Sequence, residues 1–200
     1  MRRIIGMLAA ASLLLLALAA PSFAAGVKMK AVPFTFDPDH TGIIVSAWQP
    51  HTGLADAGGA DHGLVLQKNG PTPTNAAAGA VITGAEGQTV VPGSSFGWEY
   101  KTGTYCGAGA PRFNVVTSDG VTHFLGGCAN STQTADPDNP GWTQVRIDPT
   151  NPSQAFPVIT PSPTETIDSV AIVFDEQGQT VLDNILVNGN PLIEKPGNNS

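Results

Sequence analysis

Two short stretches carry the side chains best suited to hold a ligand. Successive side chains of a strand point to opposite faces of a sheet, so the alternation predicts an outward-facing set composed of Arg112, Asn114, Trp142, Gln144 and Arg146. Arginine and amide groups hydrogen-bond hydroxyls, and an exposed tryptophan stacks on a sugar ring. The set predicts a glycan-binding surface, with the alternative that both arginines pair with acids and Trp142 covers a loop.

Glu99 is the acid with the most distinctive neighbours, since it lies between Trp98 and Tyr100. Apolar surroundings raise the pKa of a carboxyl group and suit it to general-acid chemistry. The alternation of the strand instead favours Glu99 pointing outward into water. The sequence contains no nucleophile elbow and no zinc-protease motif. A hydrolase is therefore only the alternative prediction, and it would use either Glu99 or a His-Asp pair around His40 or His62.

Loop carboxylates offer oxygen ligands for a calcium ion, the cation that secreted domains of this kind use structurally. Asp175 and Asp183 are the two residues that we expect to contribute to such a site. No other cofactor is predicted. The alternative is that these acids are simply solvated, as acids in loops commonly are.

The chain contains two cysteines, Cys106 and Cys128. In an oxidising compartment this number is most economically explained by one disulfide. The two cysteines lie just outside the ends of a predicted hairpin, so the bond would join the open end of that hairpin.

Residues 1–24 have the pattern of a secretory signal peptide. Arg2 and Arg3 are followed by an apolar run over residues 4–20 and by small residues ending at Ala24. A transmembrane anchor is the alternative, but the run is at the lower limit of length for spanning. We expect cleavage after Ala24, release to the medium or the periplasm, and no stable membrane anchor.

The charge balance excludes nucleic acid as a partner. The full chain has 9 basic and 16 acidic residues and a net charge of −7. Removal of Arg2 and Arg3 with the leader leaves a net charge of −9 and only scattered basic residues. Nucleic-acid binding needs clustered lysine and arginine, whereas an acidic surface suits a secreted protein that must stay in solution.

Turn residues punctuate the chain throughout, with 23 glycines and 17 prolines among 200 residues. Between them lie about ten short strand-like runs, and we find no convincing helical period after the leader. The pattern predicts a single-domain, all-β sandwich of jelly-roll type over residues 42–190. We expect residues 25–41 to form an extended segment and residues 191–200 a flexible tail.

Two hairpins are predicted from turn chemistry. The first joins residues 112–117 to 121–125 through Asp119-Gly120, which supplies the positive φ values that a tight turn requires. The second joins residues 167–175 to 180–187, with Gly178 at its turn.

Several segments resemble a family of uncharacterised secreted bacterial proteins: residues 106–115, 122–128, 141–145, 173–176 and 182–189. The run Leu182-Asp-Asn-Ile-Leu-Val187 also resembles the last strand of jelly-roll, galactose-binding-like domains of carbohydrate-binding modules. That resemblance implies a jelly roll, and it implies that Asp183 matches a strand acid that supports a structural calcium in some of those modules.

These observations predict a secreted, non-catalytic binding module for glycan or cell-surface material. A secreted glycoside hydrolase and a structural or envelope-associated protein are the alternatives.

Overall fold

The computed structural model describes residues 28–56 and 58–192. The predicted signal peptide and residues 193–200 of the predicted tail lie outside the described residues. Within the described part, no helix is long and apolar enough to cross a membrane.

The described chain forms two antiparallel sheets. The six-stranded sheet has the spatial order β1 (Lys30–Phe36), β4 (Ala77–Thr83), β11 (Ile167–Phe174), β6 (Arg112–Thr117), β7 (Thr122–Gly126) and β10 (Ala155–Phe156). The seven-stranded sheet has the order β2 (Ile44–Gln49), β3 (Gly63–Lys68), β12 (Gly178–Val187), β5 (Phe96–Lys101), β9 (Trp142–Ile147) and β8 (Thr132–Ala135), with β13 (Asn190–Pro191) paired to β12. A single 3₁₀ turn, Cys128–Asn130, is the helical element of the described residues.

The strand order confirms the predicted β-sandwich and its jelly-roll character. Four antiparallel pairs are nested in sequence, with β6·β7 innermost, then β5·β9, β4·β11 and β3·β12. Successive pairs alternate between the two sheets. The chain is therefore a long antiparallel ribbon rolled into two facing layers, which is the construction of a jelly roll.

The core lies between the sheets and consists of the inward side chains of both. Trp98 and Phe96 of β5 meet Phe113 of β6, with ring centroids 5.1 and 5.4 Å apart, respectively. All three side chains are fully buried. Alternation within β6 places Phe113 and Val115 in this core and leaves Arg112 and Asn114 on the outer face, as predicted.

The first predicted hairpin is confirmed, because β6 pairs with β7 along its length. Gly120 has a φ of +81° in its turn, a value that favours glycine. The second predicted hairpin is wrong. Strands β11 and β12 follow each other in the chain, but β11 pairs with β4 and β6 while β12 pairs with β3 and β5. The turn between them carries the chain from one sheet to the other.

The sandwich begins earlier than residue 42. Residues Lys30–Phe36, within the segment expected to be merely extended, form β1 and pair along their whole length with β4. At the other end, β13 pairs Asn190 with Val187 and Pro191 with Leu186.

The disulfide between Cys106 and Cys128 is confirmed. The two Cα atoms are 5.3 Å apart, within the usual range for a bridged pair. Cys106 precedes β6 and Cys128 follows β7, where Arg112 pairs with Gly126. The bond thus closes the open end of the innermost hairpin.

The outer faces of the two sheets differ. On the six-stranded sheet one row of partners crosses every strand: Val32, Val81, Ala171, Asn114, Phe124 and Phe156. None of these six side chains is buried. On the seven-stranded sheet, a loop that we call the covering loop (residues 50–56 and 58–62) places Leu54 against Val65, Trp142 and Val181.

Candidate functional site

The structure divides the predicted binding residues between two surfaces. Arg112 and Asn114 lie on β6, on the outer face of the six-stranded sheet, and Trp142, Gln144 and Arg146 lie on β9, on the outer face of the seven-stranded sheet. All five point away from the core, as alternation predicts. Because the two sheets face each other through their inner sides, these outer faces are on opposite sides of the molecule.

Arg112 is held by several partners on the six-stranded sheet. Its two terminal nitrogens donate to the two carboxylate oxygens of Asp175 at 2.8 and 2.9 Å, and Nη1 also donates to the Gly109 carbonyl. Nε donates to Asn114 Oδ1 at 3.2 Å. Burial works to raise the pKa of Asp175, but the hydrogen bonds and charge of Arg112 outweigh it and hold that pKa below its ordinary value.

Two exposed aromatic rings lie beside this arginine. Phe124 of β7 and Phe156 of β10 are direct cross-strand partners, with 43% and 77% of their surfaces exposed. The Arg112 guanidinium lies 5.7 Å from the centroid of the Phe124 ring, within the range of a cation–π contact. Neither ring is among the binding residues predicted from the sequence, although alternation in residues 121–125 sends Phe124 outward.

An open hollow of about 440 Å³ lies at these rings. Its polar lining includes Arg112, Asn130, Ser153 and Gln154, and its apolar lining includes the two phenylalanines. Ligand sites of small molecules have this size and combine apolar walls with a few polar groups. The hollow is therefore a candidate ligand site that includes the predicted residue Arg112.

Trp142 is not available for stacking on a ligand. It is on the outer face as predicted, but only 9% of it is exposed, since it packs with Leu54, Val65 and Val181. This arrangement agrees with the alternative prediction for Trp142, in which its ring packs with a loop. The cluster is small and lies outside the main core.

Backbone geometry brings the covering loop close to the sheet. Leu54 N donates to Asp183 Oδ2 at 2.7 Å. A Cβ atom on Gly53 would lie 2.3 Å from the His62 carbonyl oxygen and 2.6 Å from Asp183 Oδ2. Only glycine permits this approach, so Gly53 lets the loop lie directly on β12.

Gln144 and Arg146 border a group of buried acids on the same face. Gln144 Nε2 donates to Glu99 Oε1 at 3.4 Å, and Arg146 Nη1 donates to the Val145 carbonyl at 2.9 Å. Glu99 is paired across the strands with Asp183, and both are buried, at 4% and 0% exposure. Glu99 therefore points outward, as alternation favours, but it does not reach free solvent.

Burial raises the pKa of Glu99, and the neighbouring carboxyl group of Asp136 raises it further. The side chain of Asn139 and the backbone N–H of Asp138 donate to Asp136 and lower its pKa. The pKa values of these two neighbouring acids are therefore shifted in opposite directions.

The two residues predicted to bind calcium lie in different environments. Asp175 follows β11 and is ion-paired to Arg112, while Asp183 is in β12 and accepts hydrogen bonds from the Leu54 and Asn184 backbones. Neither belongs to a group of three or more potential metal ligands among the described residues. A calcium site at Asp175 and Asp183 stays a prediction.

No family model, no curated protein and no solved structure matches this chain.

Proposed function

We propose that this protein is a secreted, non-catalytic module that binds glycan through the outer face of its six-stranded sheet. The observation that carries the proposal is the pair Phe124 and Phe156, exposed side by side at the hollow of about 440 Å³. A phenylalanine ring that is 77% exposed contributes little to folding stability, whereas it offers a flat apolar surface that matches the face of a sugar ring.

Polar groups around the rings provide hydrogen bonds for sugar hydroxyls. Asn130, Ser153 and Gln154 line the same hollow. Arg112, one of the predicted binding residues, orients this region through its contacts with Asp175, Asn114 and Phe124. In this proposal Arg112 forms part of the wall of the site and Asn114 helps to orient it. The stacking role predicted for Trp142 belongs instead to Phe124 and Phe156.

Secretion is part of the same proposal. The disulfide Cys106–Cys128 is typical of proteins that fold in an oxidising compartment, and residues 1–24 have the signal-peptide pattern. N-terminal sequencing of the exported protein, with Ala25 expected as the first residue, checks the cleavage position.

The test is the retention of the purified protein on soluble polysaccharides in affinity electrophoresis, with a mannan, a xylan and a β-glucan as the probes. We expect retention by at least one of them, and we expect Phe156→Ala to weaken it by about tenfold or more, as for an aromatic anchor of an interface. Because Phe156 is exposed, the melting temperature should change little.

Phe36→Ala is the matched control, since Phe36 is also exposed on this sheet, at 53%, but lies on the opposite edge strand. It should leave retention unchanged. Absence of retention on every polysaccharide contradicts the proposal, and equal loss in both variants contradicts the placement of the site at this hollow.

A further inference from the structure

One histidine and two acids meet at the tip of the innermost hairpin. Asp119 lies in the β6–β7 turn, His123 in β7, and Glu165 in the segment before β11. One potential ligand atom of each residue lies within 4.8 Å of those of the other two. This is the one group of three or more such side chains found among residues 28–56 and 58–192.

Two hydrogen bonds join the segment that carries Asp119 to the segment that carries Glu165. Ser118 N donates to the Thr166 carbonyl at 2.8 Å, and Thr166 N donates to Ser118 Oγ at 3.1 Å. Asp119 and Glu165 are the immediate neighbours of these two residues. Their convergence is therefore set by main-chain geometry.

His123 points inward at this end of the sandwich and is only 4% exposed. Its Nδ1 lies 2.9 Å from the Pro157 carbonyl oxygen. A carbonyl oxygen only accepts hydrogen bonds, so Nδ1 carries the hydrogen. Metal-binding histidines are commonly oriented by such a bond from the nitrogen that does not bind the metal.

The polar atoms around His123 Nε2 have one hydrogen fewer than their hydrogen bonds require. Thr117 Oγ1 lies 2.9 Å from His123 Nε2, 2.8 Å from Asp119 Oδ1 and 3.3 Å from the Val121 carbonyl. A hydroxyl group has one hydrogen to donate. With a neutral imidazole, either Nε2 or Asp119 Oδ1 is therefore left facing an oxygen without a hydrogen between them. A zinc ion on Nε2 would replace Thr117 Oγ1 as the partner of that nitrogen and leave the hydroxyl hydrogen for Asp119 Oδ1.

We propose that Asp119, His123 and Glu165 bind a zinc ion. One imidazole nitrogen with two carboxylates suits Zn²⁺, which binds these groups at about 2.0 to 2.2 Å, whereas Ca²⁺ prefers ligand sets made only of oxygen. Asp119 is exposed and Glu165 is half-buried, so both side chains can close on the ion, and water can take a fourth position. The ion would join the hairpin tip to the segment before β11.

The test is calorimetric titration of untagged, chelator-treated protein with ZnCl₂, and separately with CaCl₂, together with melting curves. We expect one Zn²⁺ per chain and, at about 100 times the Kd, a rise in melting temperature of about 5 to 10 °C. Glu165→Gln and Asp119→Asn should each weaken the affinity for zinc by about tenfold or more. Asp168→Asn, which removes a nearby exposed carboxylate, should leave the affinity unchanged.

Two results would overturn the zinc site. One is zinc binding that is absent, or that is as tight in Glu165→Gln as in the unmodified protein, because the ligands would then lie elsewhere. The other is a melting temperature that zinc leaves unchanged, because the ion would then not join the hairpin tip to the segment before β11. Neither result bears on the polysaccharide experiment, since the two sites share no residue.

Discussion

At the scale of single residues, Glu99 shows that an outward-pointing side chain can still be buried. Strand alternation places it on the outer face of β5, where Asp136, Asn184 and Gln144 lie against its carboxyl group. Its burial raises its pKa, and the adjacent acid Asp136 adds to this effect. Glu99 is therefore a group whose proton affinity differs between the folded and the unfolded chain.

This difference predicts the sign of a pH effect on stability. Because the pKa of Glu99 is raised above 4.5 in the folded state, the folded chain keeps this proton to higher pH than the unfolded chain does. The Glu99 contribution therefore stabilises the fold below its unfolded pKa and is lost as the pH rises through the folded pKa. Replacing Glu99 by Gln should remove this loss and raise stability at neutral pH relative to the unmodified protein.

Melting temperatures of the two proteins from about pH 4 to about pH 8 measure the effect. Asp136 acts in the opposite direction, because its lowered pKa gives stability that is lost as the pH falls, and it remains in both proteins. Parallel pH curves for Glu99→Gln and the unmodified chain would show that the Glu99 proton is not held by the fold.

Side-chain direction was predictable at this scale, and exposure was not. The alternation in β6 and β9 correctly sent Arg112, Asn114, Trp142, Gln144 and Arg146 outward. Whether an outward residue meets water depends on segments distant in the chain. Trp142 is covered by Leu54, which lies far from it in sequence, so no local pattern around residue 142 could reveal that contact.

At the scale of elements, turn chemistry predicted one connection correctly and another wrongly. Asp119-Gly120 joins two strands of one sheet, whereas residues 175–177 join strands of different sheets. Both segments look alike locally, as strand, polar turn with glycine, and strand. A turn signal shows that the chain reverses, but the pairing is decided by which strands compete for each edge: β4 and β6 flank β11 and leave no edge for β12.

The disulfide belongs to this scale, because it closes the β6–β7 hairpin. Its Cα atoms are 5.3 Å apart and Cys128 is fully buried. Replacement of both cysteines by serine should lower the free energy of unfolding by about 2 to 5 kcal/mol, the usual cost of losing a native disulfide in a small secreted domain. Urea unfolding measures this change, and the unmodified protein under reducing conditions is the matched comparison. An unchanged midpoint, or two titratable thiols in the native protein, would contradict the prediction.

At the scale of the whole molecule, the two outer faces differ in how far they are covered. One is covered, with Leu54 seated over Trp142, Val65 and Val181. The other is open and exposes valine and phenylalanine side chains across its width. Exposed apolar patches on a secreted domain commonly mark a binding surface, which agrees with the proposed glycan site on the open face.

The covering loop should contribute measurably to stability. Leu54 is 91% buried (9% exposed) in a small cluster, so Leu54→Ala should lower the free energy of unfolding by about 2 kcal/mol, at the low end for a buried leucine. It should also increase the quenching of tryptophan fluorescence by acrylamide, since Trp142 loses its cover. Val91→Ala, at a valine that is 52% exposed, is the control and should change neither quantity. Unchanged stability and quenching in Leu54→Ala would show that the loop does not hold the face closed.

The rolled-ribbon topology also bears on how the chain reaches its fold. The innermost pair, β6·β7, closes across a short turn. The outermost pair, β3·β12, joins Lys68 to Gly178, so its formation requires two distant parts of the chain to meet. Folding rates decrease as contacts become more distant in sequence, and all-β domains with such long-range pairing fold in milliseconds to seconds. Among the nested pairs, the shortest chain closure is that of the β6·β7 hairpin, which the disulfide closes and which carries the proposed zinc ligands Asp119 and His123. In the oxidised protein, the covalent bond would bring β6 and β7 together before the remaining strands have found their partners.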